Sequence, residues 1–363
     1  MGKIAILNDT HCGVRNSSEI FIDYQRRFYQ EKFYSQVFFP YLLKHNINRI
    51  LHLGDYYDHR KYINYKALNA NRHMFLDKLK ENNITMDIIP GNHDVFYKNT
   101  NELCSLKELL GYYTGNVNII MRPTDMMYDN LSIALVPWIN ETNHDETMRF
   151  IESTKSKVMC GHFELSGFPL MRGVYNTKGP SGDDIHKDKF KMILSGHFHT
   201  KSRLDNIQYL GSQMEFTWSD ESDKKYFHIL DTETHLLNKV HNPITLFKKI
   251  KYCDKTTDYS PEKYDVSDCK DKFVKIVVIS NKKDPYVYDK FIDRINQVGT
   301  HGLKIAETFE EFTADNVAAA MMVEDTPTLL NDYVDDVITD LDKHRIKETM
   351  HSIYIEAQSL GTI

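Results

Sequence analysis

Short apolar runs recur through the first 240 residues, and most close on a turn containing glycine or aspartate. The clearest are KIAIL at 3–7, RILHL at 49–53, TMDII at 85–89, SIALV at 132–136, KVMC at 157–160 and KMIL at 191–194. Several are rich in Ile and Val, which predicts strands buried on both faces. Between them, residues 20–45 carry Phe21, Tyr24, Phe28 and further aromatics at roughly three-to-four spacing. Residues 66–82 behave alike, and both stretches predict helices with one apolar face. Strands alternating with helices predict a layered α/β core. The later runs NIQYLG and KYFHILD are expected to be neighbouring antiparallel strands completing a second sheet.

The pattern changes after HNPITLFKKI. Residues 249–304 hold one strong strand, FVKIVVIS at 273–280, and one helix at 286–298, which predicts a small α/β cap. A polar, aperiodic stretch follows. After Pro327, Leu330, Val334, Ile338 and Leu341 mark one face of an amphipathic helix. The expected organisation is a catalytic domain at 1–245, a cap at 246–306, an acidic linker at 307–327 and a C-terminal helical segment at 328–363. There are no internal repeats or low-complexity tracts.

Chemistry enters where the strands end. KIAIL is followed by Asp9 and His11, RILHL by Gly54, Asp55 and Asp58, and TMDII by Gly91, Asn92, His93 and Asp94. KVMC leads into Gly161 and His162, and KMIL into Gly196, His197 and His199. In α/β sheets ligands bind beyond the carboxyl ends of the strands, and glycine there lets the backbone turn tightly and approach a ligand. A lone GD or GH after a strand is ordinary turn chemistry, and GNHD and GHxH are more informative; five motifs in sequence, all at strand ends, point to a metal centre. The candidate ligands are Asp9, His11, Asp55, Asn92, His162, His197 and His199. Nitrogen and oxygen donors without thiolate disfavour a structural zinc site and suit Mn²⁺, Fe²⁺ or a similar ion. Seven donors exceed the needs of one ion and suit two if a carboxylate bridges them. Asp55 is the choice of bridge, because a carboxylate shares two oxygens where an imidazole does not. His197 and His199, at i and i+2 of an extended segment, would lie about 6.5–7 Å apart along one face. That spacing suits one ligand for each ion, with Gly196 clearing space and Phe198 turned away to pack.

Composition narrows the setting. At 41% hydrophobic and 26% charged the 363 residues are ordinary for a globular protein of about two domains. No apolar run is long enough for a membrane span, and MGKIAILNDTH lacks a secretion-signal pattern. Five scattered cysteines form no CxxC pair, so a reduced, cytoplasmic protein is expected, in the host cytoplasm if phage-encoded. The net charge of −6 is uneven: from residue 301 onward there are four Lys/Arg against thirteen Asp/Glu, leaving 41 against 38 before it. The acidity belongs to the tail, so a polyanionic substrate stays open for the rest.

The ordered set DxH, GDxxD, GNHD, GH, GHxH resembles the calcineurin-like metallophosphoesterase superfamily over residues 1–240. Within it, NDTHCG, GDYYDHRK, PGNHDVFYKN, VPWI, GHFELSGF and SGHFHT resemble the SbcD-type nucleases of double-strand-break repair, especially phage recombination endonuclease subunits. The resemblance implies a two-sheet, four-layer α/β/β/α sandwich with a small α/β cap and a C-terminal helical segment. It implies that Asp9, His11, Asp55 and His199 hold one metal, and that Asp55, Asn92, His162 and His197 hold the other. His93 matches a non-ligand catalytic histidine, and Asp58 and Asp94 match acidic positions that orient ligands. Asn8 stands where many relatives have Ser. The implied activity is DNA endo/exonucleolytic hydrolysis by in-line attack of a hydroxide bridging two divalent cations, Mn²⁺ first and Mg²⁺ second. No GxxxxGK[ST] occurs, so no nucleotide is expected on this chain. The implied partners are DNA, an SMC-like coiled-coil ATPase of the SbcC type docked on residues 328–356, and a second copy through the nuclease domain, by way of residues 60–75 and 98–115. A small-substrate phosphatase and a non-catalytic scaffold of the same fold are the competing readings. Tyr56, Tyr57, Phe96 and Tyr97 beside the site are candidates for stacking on bases or for plain packing.

Overall fold

The computed structural model describes residues 2–13, 31–171, 174–279 and 284–307, with eight further positions between 334 and 350. The chain divides into two compact units, Met1–Lys248 with Asp271–Phe273, and Lys249–Lys270 with Val274–Ile363.

Among the described residues the first unit holds fourteen strands: β1 (Lys3–Leu7), β2 (Arg49–His52), β3 (Thr85–Ile88), β4 (Val117–Ile119), β5 (Thr124–Tyr128), β6 (Leu131–Val136), β7 (Val158–Gly161), β8 (Pro169–Met171), β9 (Val174–Tyr175), β10 (Met192–Ser195), β11 (Ser202–Leu204), β12 (Ile207–Tyr209), β13 (Tyr226–Asp231) and β14 (Leu237–His241). Two six-stranded sheets run in the orders β14-β13-β1-β2-β3-β4 and β11-β12-β10-β7-β6-β5. In the first, β1 to β4 are parallel and β13 lies antiparallel to β1. In the second, β6, β7, β10 and β12 are parallel, with β5 and β11 antiparallel at the edges.

Residue parity assigns each strand's two faces to different layers. Ala5, Ile50, Met86 and Val117 are successive Cα partners across the first sheet. All face one core with Phe38 and Leu42 of the helical turns Phe33–Phe38 and Phe39–Lys44. Phe75 and Leu79, from the continuous helical run Tyr65–Asn71, Arg72–Leu76 and Asp77–Glu81, fill the same core. One position along, Ile6 and Leu51 face a second core shared with Ile133, Leu135, Val158, Cys160 and Leu194 of the other sheet. Ala134, Met159, Ile193 and Ile207, again Cα partners, turn outward to a third core. Ile151 of the helix His144–Ser153 packs there with Phe163, Phe168 and Phe190. Three cores between four layers explain why the strands read as unbroken apolar runs. Each fully buried Ile or Leu contributes about 1.5–3 kcal/mol.

One expectation fails. NIQYLG and KYFHILD are not neighbours: β12 lies parallel to β10 in the second sheet, whereas β13 pairs antiparallel with β1 in the first. Residues 210–225 span the gap between sheets, carrying Met214 and Phe216 into the first core on the way. Adjacency in sequence does not say which sheet a strand joins when its connection is that long.

The second unit holds most of a three-stranded sheet, β15 (Phe247–Tyr252), β16 (Phe273–Val278) and β17 (Gly302–Glu307), in the order β15-β16-β17. Its helix, Pro285–Gln297, starts at Asp284, whose side chain accepts from the N–H groups of Tyr286 and Val287, with Pro285 in the first turn. Sequence pattern picked out β16 and the helix. It passed over β15 and β17, whose lysine-bearing alternation reads weakly as strand. Tyr252, Tyr259, Ile276, Phe291 and Ile295 form the core. The expected linker lies outside the described residues from 308 onward, as does most of segment 328–363; seven of its eight described positions are helical.

Candidate metal centre

The loops that leave β1 and β2 run side by side past the end of the sheet. The N–H groups of Asp9, His11 and Cys12 donate to the carbonyls of Gly54, Asp55 and Tyr56 at 3.0, 3.0 and 2.8 Å. This extension of the ladder sets Asp9 and His11 against Asp55. It requires unusual backbone: Asp9, His11 and Asp55 have φ of 46°, 44° and 52°, and His197 has 87°. Non-glycine residues held there cost about 1–3 kcal/mol each, and such strain gathers at functional sites. His197 is therefore not in an extended segment, contrary to expectation. Its N–H instead donates to both Asp9 carboxylate oxygens at 3.0 and 3.1 Å. The intervening Phe198 packs in the third core.

The glycines allow this crowding. A Cβ at Gly91 would lie 2.2 Å from Asp55 Oδ1, and one at Gly54 2.6 Å from the Gly91 nitrogen. Asp94, buried below, accepts from the N–H groups of Gly91, Tyr56 and Tyr57 at 2.9, 3.0 and 3.1 Å, tying the β2 and β3 loops together. Burial and the nearby Asp55 charge push its carboxyl up to about 7, against the pull of these donors.

Tautomers follow from the partners. His162 Nδ1 lies 2.7 Å from the Leu53 carbonyl, an acceptor only, so Nδ1 carries the proton. In the neutral ring Nε2 then presents a lone pair to Asn92 Oδ1 at 3.0 Å and Asp55 Oδ2 at 3.3 Å. His197 Nδ1 meets the same Asn92 oxygen at 2.9 Å. On the other side of Asp55, His11 Nδ1 faces Asp58 Oδ1 at 3.0 Å, and its Nε2 faces His199 Nε2 at 3.0 Å, Asp55 Oδ2 at 3.7 Å and Asp9 Oδ1 at 3.9 Å. Asp9 and Asp55 meet imidazoles and N–H donors here, with Arg60 acting on Asp55 through its charge, and with the rings neutral the converging lone pairs are those a cation would bind. Three groups have ligand atoms within 4.8 Å of one another: Asp9, His11 and His199; His11, Asp55 and His93; and Asp55, His162 and His197. The donors thus fit divalent metal ions, in oxygen and nitrogen chemistry without a thiolate.

Electrostatics carry the same signature. Burial opposes charge on His11, but the Asp58 hydrogen bond and the charges of Asp55, Asp58 and Asp9 outweigh it and raise the ring to about 9. Burial likewise opposes charge on His162, where Asp55 and Asp9 prevail, again to about 9. His199 is held down to about 4 by burial and by the His11 charge. Asp55 stays well below the usual carboxylate range: burial works against ionisation, and the His162, His93 and His11 charges overcome it.

All seven candidate ligands and His93 meet at this one end of the sandwich. His93 donates its backbone N–H to Asp55 Oδ1 at 2.8 Å, and its Nδ1 to the Asp58 carbonyl at 2.6 Å. Tyr56 and Tyr57, by contrast, are buried in the first core and have no face free for a base. Two contributors lie in the quoted motifs NDTHCG and VPWI but were given no role at the site. Asn8 donates from Nδ2 to Asp9 Oδ2 at 2.6 Å. The Trp138 ring lies 5.5 Å from His197 and 5.9 Å from His162. Asn8 was legible as a polar residue directly after a buried strand, whereas Trp138 offered no spacing signal.

A two-sheet α/β sandwich with this donor set at one end defines the class, a metal-dependent phosphodiesterase. Residues 2–201 match the model of the calcineurin-like phosphoesterase family, and the chain belongs to that family. It is similar to exonuclease subunit 1 of Enterobacteria phage T4, 29% identical over 357 residues, which span 98% of this chain and 99% of that one. Among solved structures, that of a novel archaeal phosphodiesterase aligns with 66% of this chain and 99% of its own, at 14% identity and a TM-score of 0.32.

Proposed function

We propose that this chain is the DNA-cleaving subunit of a recombination and repair nuclease of the SbcC–SbcD type, working with two divalent cations, Mn²⁺ before Mg²⁺. The observation that carries the reading is the place of Asp55, whose Oδ2 lies 3.3 Å from His162 Nε2 and 3.7 Å from His11 Nε2, between two histidine groups. Asp9, His11, Asp55 and His199 would hold one ion; Asp55, Asn92, His162 and His197 would hold the other. When bound, such a pair activates water at neutral pH and offsets charge on a phosphodiester. The chain's own residues supply the rest. Leu53 and Asp58 fix the tautomers of His162 and His11, so each presents Nε2. His93, with Nδ1 committed to the Asp58 carbonyl, keeps Nε2 as the atom that, when protonated, serves the departing 3′-oxygen.

The full-length similarity to a protein named as a subunit supports a partner for this chain. The partner is an SMC-like coiled-coil ATPase docked on the C-terminal segment 328–363, beyond an acidic linker at 307–327 and a cap at 246–306. A second copy would join through the nuclease domain at residues 60–75 and 98–115, where Tyr65 and Tyr112 are 84% and 90% exposed. The test is cleavage of single-stranded and plasmid DNA with Mn²⁺ or chelator, with and without the ATPase, beside a chromogenic phosphodiester. Mn²⁺-stimulated DNA cleavage is expected. Its absence in every condition sinks the reading, and hydrolysis of the chromogenic ester alone transfers it to a small substrate.

A further inference from the structure

A buried lysine that the phosphodiesterase chemistry does not use sits behind one half of the centre. Lys225, at the entry to β13, has a side chain only 2% exposed. An ammonium has three N–H donors, and three acceptors surround this one: Asp220 Oδ1 at 2.6 Å, Asp223 Oδ2 at 3.0 Å and the backbone carbonyl of His199 at 3.1 Å. The same carbonyl accepts from the Ser212 N–H at 3.1 Å, so the His199 backbone is held from two directions. The other oxygen of Asp220 accepts from the N–H groups of Phe216 and Thr217, each at 2.9 Å, and so shapes the turn that presents Phe216. The Phe216 ring then packs on both imidazoles of this half, 5.4 Å from His11 and 5.5 Å from His199. One ion-paired cluster thus grips His199 by its backbone and both rings by an aromatic wall. The other half is supported by different groups, Leu53 behind His162 and Trp138 beside His197.

We propose that Lys225 is a positioning residue for the Asp9, His11 and His199 half of the centre, setting affinity for the ion held there and leaving the other ion unaffected. The proposal rests on the ligand assignment made above. Groups that orient metal ligands typically contribute 10–100-fold in affinity, and imidazole placement is sensitive to small backbone shifts because its donor atom lies far from the Cα.

The test is Mn²⁺ binding by calorimetry and electron paramagnetic resonance, in full-length protein checked for native circular dichroism. Lys225→Met alone strands the Asp220 charge and risks unfolding, so Lys225→Met/Asp220→Asn, which removes both charges and keeps an oxygen for the Phe216 turn, carries the comparison. One of two Mn²⁺ affinities should weaken by at least about 10-fold, with the spin-coupled pair signal giving way to that of an isolated ion. The loss should persist in a His162→Ala background and vanish in a His199→Ala background. A folded double variant that binds both ions as tightly as the parent overturns the proposal while leaving the ligand assignment intact. If His199→Ala itself keeps both ions, the assignment falls and takes the proposal with it.

Discussion

His11 and His199 stand 188 residues apart in the chain, and their Nε2 atoms approach to 3.0 Å. Neither ring is placed by its neighbours in sequence. His11 is held by Asp58 from β2's loop, and His199 by a carbonyl that Ser212 and Lys225 grip. The centre is therefore a property of the assembled sandwich, and its predictions concern how ligands are held as much as which they are.

Asp55 and His93 should separate metal binding from proton delivery. Asp55→Ala is expected to abolish both Mn²⁺ binding and DNA cleavage. His93→Ala should retain Mn²⁺ binding but lose roughly 10²–10⁴-fold in cleavage rate, the usual range for a general acid. Calorimetric titration beside a cleavage time course checks both. Loss of Mn²⁺ binding in the His93 variant would make that residue a ligand.

Gly91→Ala probes the crowding. The added Cβ would fall 2.2 Å from Asp55 Oδ1 and 2.8 Å from His162 Cε1, so the carboxylate must move. Mn²⁺ affinity should drop at least tenfold, with a modest fall in thermal midpoint. Unchanged affinity would mean that the loop relaxes freely.

Glu215 governs a pH dependence away from the metal. Its carboxylate is buried, accepts from the N–H groups of Leu246 and Phe247, and is pushed up to about 7 by burial. The native state therefore binds a proton more tightly than the unfolded chain, so this group's contribution falls as pH rises from about 4.5 to about 7. In denaturant melts, Glu215→Gln should gain on the parent across that window, by at most about 1.4 kcal/mol per pH unit, and hold its lead above it. A difference that does not change with pH would refute the burial account.

Metal should stabilise the fold. Mn²⁺ at 100 times its dissociation constant adds about 2.7 kcal/mol through mass action, visible as a raised thermal midpoint that chelator reverses. His162→Ala and His199→Ala should each lose part of that shift. A midpoint insensitive to Mn²⁺ in the parent protein would argue against a preformed site.

Truncation after residue 326 should abolish assembly with the proposed ATPase partner and leave Mn²⁺-dependent cleavage in place. Co-purification and a nuclease assay read the two outcomes, and a surviving complex would move the docking surface elsewhere.

Much of the fold was legible because buried parallel strands impose a local rule. Both faces are covered, so runs such as SIALV and KMIL are apolar at consecutive positions, and their ends are marked by glycine. The candidate ligands were legible for the same reason, since polar side chains directly after a buried run stand out. Sheet membership was not: β12 and β13 look alike as strings and belong to different sheets. Trp138 was noted only as part of VPWI, with no role assigned, and Lys225 left no trace. A tryptophan among apolar residues reads as core, and a lysine in SDESDKKY reads as solvated surface until Asp220, Asp223 and the His199 carbonyl close around it.

The sequence by itself determined which residues are candidates for the metal centre, because residue type and position after a strand are local facts. Only the tertiary structure decided how they are arranged. Register brings Asp9 and His11 against Asp55, strained backbone turns His197 onto the Asp9 carboxylate, and hydrogen bonds from distant loops choose which imidazole nitrogen faces inward. SGHFHT shows the division. Two histidines were plain in the string, but the extended backbone expected between them was not, because His197 adopts a positive φ.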